Sequence, residues 1–266
     1  MKPHYVLMAA LLAGSPAVAK PVKRAPAAAA KADPAALKAV CDQLAALLTP
    51  DSATPNQVDG IIASMMQTML AQDAGFAALN TKFPGMTGAI TDRVRPLMFE
   101  SSRISMPLYR AELAQLYADN FTLAEAKAAT AFFGSADGQA LLTSANANLS
   151  YKATGAALAQ GGEASAGDLR QDARTAAQRT LETMPPARKA RVGAFFASPA
   201  GQKIIAMAPR KSALDQKWFN YSPPGLQDKV ARATVEAMLD HIAKTDPAMA
   251  KRMRDALIEK GVLPKG

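Results

Sequence analysis

Few residues in this 266-residue chain could act as nucleophile or base near neutral pH. Cys41 is the single cysteine. His241 is the single histidine apart from His4, which falls in the N-terminal leader described below. A Cys–His dyad would have to join Cys41 to His241, and a Ser-His-Asp triad would have to use His241 as its base. The chain holds no Gly-x-Ser-x-Gly elbow and no Gly-rich phosphate loop of either common spacing. One Cys and one His exclude a His-rich zinc site. His241 follows Val230, Ala233 and Ala237 at helical spacing, and Cys41 shares a face with Leu37, Leu44 and Leu48. Both therefore read as members of apolar helix faces. No catalytic residue, metal or cofactor is assigned. Carboxylates leave one reaction class open, a hydrolase or lyase acting on envelope polymers. That chemistry needs two acids a few ångströms apart, one with a raised pKa.

Charge is more informative. The chain carries a formal net charge of +9. Residues 105–155 sum to −1, whereas residues 168–218 sum to +6. The second stretch includes Arg188, Lys189, Arg191, Lys203, Arg210 and Lys211, followed by Trp218 in "QKWFNYSPPG". Arg188 and Lys189 would sit in a helix's first turn, where cations are mildly unfavourable. These seven residues are the candidate contact with an anionic partner: anionic lipid, lipopolysaccharide or an acidic envelope protein. The aromatic cluster around Trp218 has a second reading, as a plug where helices meet.

The address follows from the start of the chain. Lys2, the apolar run Tyr5 to Ala13 and the small-x-small site Ala17-Val18-Ala19 have the layout of a secretory signal peptide cleaved near Ala19. The run is too short to span a bilayer, which takes about 20 residues, and no later stretch is apolar enough. A periplasmic or secreted protein is expected, which argues against nucleic acid as partner despite the basic composition. Residues 20–34, rich in Lys, Ala and Pro, read as a flexible basic arm.

The remaining chain reads as all-α. Ala, Leu, Met and Gln are plentiful, and no sustained period-two alternation argues for strands. Expected helices lie near 35–48, 55–73, 87–104, 106–119, 123–133, 136–158, 168–182, 186–196, 199–216, 224–244 and 246–260, with Pro96 kinking or splitting the third. The segment 161–167, "GGEASAG", reads as a linker between a helical unit over 35–160 and another over 168–263.

One phrase is written twice. "FFGSADGQALL" starts at Phe132 and "FFASPAGQKII" at Phe195, 63 residues later. In the first copy Thr122 and Glu125 form a capping box, and the helix runs to Phe132 and Phe133. Ser135 caps the next helix, and Gly138 removes a β-carbon where two helices meet. In the second copy Pro185-Pro186 opens the first helix, Phe195 and Phe196 close it, Ser198-Pro199 opens the next and Gly201 takes the place of Gly138. Each copy is thus expected to be a helical hairpin with a tight capped corner, and the two to cover each other's apolar faces or those of flanking helices.

This phrase resembles the family catalogued as domain of unknown function 2059. The matching residues are Phe121, Thr122, Glu125, Phe132, Phe133, Ser135, Gly138 and Gln139 in the first copy. In the second they are Phe195, Phe196, Ser198, Pro199, Gly201, Gln202 and Lys203. Ala126 and Ala136 stand where the family pattern has Leu and Pro, and the second copy has no Thr-x-x-Glu. The resemblance implies an exported all-helical bacterial protein and carries no activity and no functional residues with it. The reading is therefore an exported, non-catalytic helical protein that binds an anionic envelope partner through its basic second unit. The carboxylate enzyme, and a structural or chaperone-like module with an apolar groove between its hairpins, stand as alternatives.

Overall fold

The structure is a computed structural model that describes residues 33–159 and 162–264. The leader over 1–19, residues 20–32 of the basic arm and residue 161 of the linker lie outside the described residues. Among the described residues there are twelve α-helices, one 3-10 turn and no strand, as the composition implies. In chain order they are α1 (Pro34–Leu48), the 3-10 turn Asp51–Ala53, α2 (Thr54–Gln72), α3 (Ala74–Lys82), α4 (Met86–Ala118), α5 (Leu123–Gly134) and α6 (Ala136–Ala147). There follow α7 (Lys152–Ala159), α8 (Ala166–Thr183), α9 (Pro186–Ala197), α10 (Pro199–Asn220), α11 (Leu226–Ala243) and α12 (Pro247–Glu259). Asp33 and Pro34, read as the end of the arm, instead open α1: the Asp33 carboxylate accepts from the Ala35 amide.

Helix α4 is the axis. Its 33 residues span about 50 Å at 1.5 Å per residue. The first half buries Met86, Ile90, Val94 and Met98 against Val58 and Ile62 of α2, Phe76 of α3, and Ala233 and Ala237 of α11. The second half buries Met106, Tyr109, Leu113 and Tyr117 in a larger core with Cys41, Leu44, Phe133, Leu141, Leu169, Ile204 and Phe219. The larger core draws on both sides of the 161–167 segment, and α11 returns to pack on α4 in the smaller one. The two stretches read as separate units therefore share both cores.

The sequence suggests two helices over 87–119 with a kink or split at Pro96, but α4 runs unbroken through Pro96 and Pro107. Each proline removes one intrahelical hydrogen bond. Both lie on the exposed side, where water can serve the freed carbonyls, while the opposite side of each half is locked into its own core. The converse holds over 136–158, read as one helix and found as α6 and α7. Tyr151 lies between them at φ 50 with its side chain buried. The Asp172 carboxylate of α8, itself buried, accepts from the Ala153 and Thr154 amides at 2.9 Å each and so supplies an N-cap from outside the helix. The segment read as a linker is likewise pinned. Ala164 is fully buried and is gripped by the Asn220 amide through bonds of 3.1 and 2.9 Å. Ser165 and Asp168 make a capping box that starts α8.

The repeated phrase builds one corner twice. Ser135 and Ser198 adopt nearly the same backbone angles, φ −74, ψ 163 and φ −72, ψ 162. Each hydroxyl accepts from the amide of the glycine three residues on, at 3.2 Å in both copies. The Gln139 side-chain amide donates to the Phe133 carbonyl at 2.6 Å, and Gln202 to Phe196 at 2.7 Å. This glutamine bond satisfies one of the last free carbonyls of the first helix. The glycine is compulsory. A β-carbon at Gly138 would lie 2.1 Å from the Phe132 carbonyl oxygen, and one at Gly201 2.3 Å from that of Phe195.

The corners then meet each other. Phe132 and Phe195, equivalent residues of the two copies, stack face to face with ring centroids 3.8 Å apart and planes within 2°. Phe133 meets Phe195 edge-on at 5.5 Å, and Phe132 meets Phe196 edge-on at 6.2 Å. Residue 132 of one copy thus faces its own counterpart, and the flanking contacts exchange roles about it. That is a local pseudo-two-fold axis inside one chain.

Alanine at Gly138 or Gly201 should therefore lower the urea midpoint sharply, by about 3 kcal/mol or more, because backbone must move. Alanine at Gly193, mid-helix in α9 with nothing within 4 Å of its β-carbon, should stabilise by up to about 1 kcal/mol. Equal effects at Gly193 and Gly201 would show that the corner does not need its glycine.

Candidate functional site

The charged residues of the second stretch divide into those that hold the fold and those that do not. Arg188 and Arg191 of α9 converge on Asp137 of α6. The Arg191 Nε and Nη2 reach its two oxygens at 2.5 and 2.9 Å, and the Arg188 Nε approaches at 3.2 Å. Arg191, then Arg188, holds the Asp137 carboxyl down at about 2 against the opposing effect of burial. Lys203 of α10 donates to Glu125 of α5 at 2.6 Å and to the Asn120 carbonyl at 3.0 Å. Arg210 donates to the Asn120 side-chain oxygen at 3.0 Å. Lys217 donates to Glu112 of α4 at 2.6 and 2.8 Å.

The two clamps across the corners are related. Glu125 and Arg188 are 63 residues apart, the repeat offset, so they occupy equivalent positions with opposite signs. Each reaches the second helix of the other copy, where Lys203 and Asp137 carry the matching charges. If a copy paired with its own kind, Glu125 would face Ala140 and Arg188 would face Ala200, the positions 63 residues from Lys203 and Asp137, and both charges would lose their partners. The placing of these charges thus favours the mixed pair over the like pair.

Two residues proposed for partner contact from sequence face inward instead. Lys211 is 6% exposed and Trp218 5%. Lys211 donates to both oxygens of Asp215, at 2.9 and 2.8 Å, and the Tyr109 hydroxyl of α4 donates to the same carboxylate at 2.8 Å. Lys211 and Asp215 stand four apart on α10, so the pair closes along the helix and turns its charge onto α4. Trp218 packs on Tyr221 at 5.1 Å, and the Lys217 ammonium lies 5.2 Å from its ring centroid. With Phe219 fully buried, this stretch plugs the core at the end of α10. The other five, Arg188, Lys189, Arg191, Lys203 and Arg210, lie at or near the surface. Of these, Lys189 alone lacks a partner among the described residues.

Three cations that sequence reasoning counted only towards net charge stand with it. Arg170, Arg174 and Arg179 lie on the exposed face of α8, and none has a carboxylate partner among the described residues. The available signal was the buried set Leu169, Ala173, Ala176, Ala177 and Thr180, which leaves these three arginines on the exposed arc of α8, with Arg170 and Arg179 towards opposite edges of it. The Arg170 Nε donates to the Ala166 carbonyl at 3.0 Å. With Lys189 at the start of α9, they are exposed cations without a carboxylate partner among the described residues.

Other candidate chemistry is accounted for by packing. Cys41 is sealed in the larger core, and burial, then Asp42, pushes its thiol up to about 11. His241 Nε2 lies 3.0 Å from the Pro84 carbonyl oxygen in the turn before α4. Among the described residues, no group of three or more His, Cys, Asp or Glu side chains could hold a metal. Burial pushes Asp215 up to about 6 in spite of Lys211 and Tyr109, yet its partners are a lysine and a tyrosine rather than a second acid. Burial alone would raise Glu112 and Glu125, but Lys217 and Lys203 bring both below the usual carboxylate range. A general acid needs a shift in the opposite direction. The four corner phenylalanines fill the space between the hairpins.

Removing the cation by Lys211→Met should cost about 3 kcal/mol, since it strands a buried carboxylate. The double change K211M/D215L should recover at least half of that loss. Equal urea midpoints for the single and double variants would show that the pair is not the cause. Carboxyl carbon NMR should place the Asp215 midpoint near 6 and leave Asp137 ionised until about pH 2. The native Asp215 binds its proton more tightly than the unfolded chain does, so its contribution to stability falls as pH rises from about 4 to 6. Asp137 has the opposite sign: its contribution is present above about pH 4 and is lost as pH falls towards 2.

No curated protein and no solved structure matches the chain. Residues 110–164, which run from the second half of α4 through the first corner and α7, match the family described as an uncharacterized protein conserved in bacteria (DUF2059), the family that the first copy of the phrase resembles.

Proposed function

We propose that this protein is exported and binds an anionic surface of the bacterial envelope, lipid or lipopolysaccharide head groups, through the exposed faces of α8 and α9. The observation that carries this reading is the division among the cations. Arg188, Arg191, Lys203, Lys211 and Lys217 are matched by carboxylates within the chain. Arg170, Arg174, Arg179 and Lys189 are exposed and unmatched among the described residues. Uncompensated cations on adjoining helices attract anionic head groups, by about 1 kcal/mol per basic side chain near the surface. Among the described residues, no helix is long and apolar enough to cross a membrane. The leader pattern over residues 1–19 supports the exported address.

The test is sedimentation with phosphatidylglycerol–phosphatidylcholine vesicles across a salt series. The wild type should bind, and binding should fall steeply with ionic strength. The triple variant R174E/R179E/K189E should bind roughly 100-fold more weakly at low salt while keeping its urea midpoint. Arg188 and Arg191 are left unchanged because they hold Asp137. Retention equal to wild type, or equal binding to pure phosphatidylcholine vesicles, would overturn the proposal.

A further inference from the structure

Beside the second proline of α4 the surface opens into a hollow of about 640 Å³, within the usual size of a small-molecule site. Its floor is apolar, made by Phe99, Met106 and Pro107. Three polar features converge on it. Ser102 lines the hollow and is 3% exposed, and its hydroxyl has no hydrogen-bond partner. A buried hydroxyl with no partner inside the protein is free to donate to a polar ligand that reaches it. Pro107 has no amide hydrogen to give the Arg103 carbonyl one turn back, which leaves an acceptor beside the same hollow. Glu100 and Arg103 line it with opposite charges, three residues apart on α4, and make no salt bridge with each other or with any other described residue. One end is closed by Arg110, which is bound to Thr49 and Asp51 and so is not free to serve a ligand.

From this arrangement we infer that the hollow is a binding site for a free α-amino acid with an apolar side chain. The ligand's carboxylate meets Arg103, its ammonium meets Glu100 and the freed Arg103 carbonyl, and its side chain lies on Phe99 and Met106. The Ser102 hydroxyl donates to the carboxylate. A simple anion leaves Glu100 unanswered and a simple cation leaves Arg103 unanswered, whereas a zwitterion answers both. Side chains three apart on a helix are separated by about 5–6 Å at Cβ, a span suited to two charges on neighbouring atoms of one small molecule. The site lies on α4, away from the exposed cations of α8 and α9, and does not depend on the envelope reading.

The probe is L-leucine, titrated calorimetrically into the full-length protein, with N-acetyl-L-leucine and L-leucinamide as blocked forms that each lack one charge. L-Leucine should bind, and each blocked form should bind at least about tenfold more weakly. Arg103→Ala and Glu100→Gln are exposed changes that should leave the circular dichroism and urea midpoint intact and weaken L-leucine by at least about tenfold. Ser102→Ala should weaken it less. Absence of L-leucine binding to the wild type, equal binding of the blocked forms, or full binding by R103A and E100Q would overturn the proposal. Loss of vesicle binding in R174E/R179E/K189E with L-leucine binding kept would separate the two sites.

Discussion

Two phenylalanines that cannot come closer organise this molecule. Phe132 and Phe195 stack at 3.8 Å across a pseudo-two-fold axis, and each stands at a tight corner. The tightness has one cause. The second helix of each corner passes its first residues beside the last turn of the first helix, at the Phe132 and Phe195 carbonyls, at a distance that leaves no room for a β-carbon at Gly138 or Gly201. Serine and glutamine then answer the backbone groups that such a sharp turn exposes. With the corners fixed, α5, α6, α9 and α10 are set relative to one another, and of these α10 packs on α4.

A pseudo-symmetric pair faces a problem of identity: nothing in stacked phenylalanines distinguishes a copy from its partner. The charges resolve it. Glu125 and Arg188 stand at equivalent positions with opposite sign, and Lys203 and Asp137 answer them from the opposite copy. Surface ion pairs contribute little to stability one at a time. Their effect here is on which pairing forms, since either like pairing would set these charges against alanine, Ala140 or Ala200, and leave them unanswered. The same arithmetic explains why net charge misleads as a map of a binding surface. Most cations of the second stretch are spent on partners inside the chain, and the unmatched ones lie on α8 and at the start of α9, where the sequence shows only unremarkable amphipathic helices.

Much of this was legible before any coordinates. The phrase at 132 and 195 announces two capped corners, and its Ser, Gly and Gln play the parts their chemistry suggests. Elsewhere local signals were overridden from a distance. Pro96 read as a kink or a split and a separate helix was expected from 106, but α4 runs unbroken between two separate cores. Residues 136–158 read as one helix, but Asp172, on another helix, caps a new start at Lys152. Lys211 read as a surface cation, but Asp215 one turn later lets it enter the core with its charge answered.

What the sequence determined alone was everything set by residues within a turn or two of each other: helix class, cap chemistry, the repeat, and the sign of the charge on each stretch. Those depend on backbone propensity and on hydrogen bonds between near neighbours, and they are written in short patterns. What the tertiary structure decided was which cation meets which acid, which proline is tolerated, and which helix ends are capped from afar. Such matters turn on contacts between residues tens of positions apart, such as Glu125 with Lys203 or Tyr109 with Asp215, and a linear pattern carries no record of which distant side chains the fold brings together.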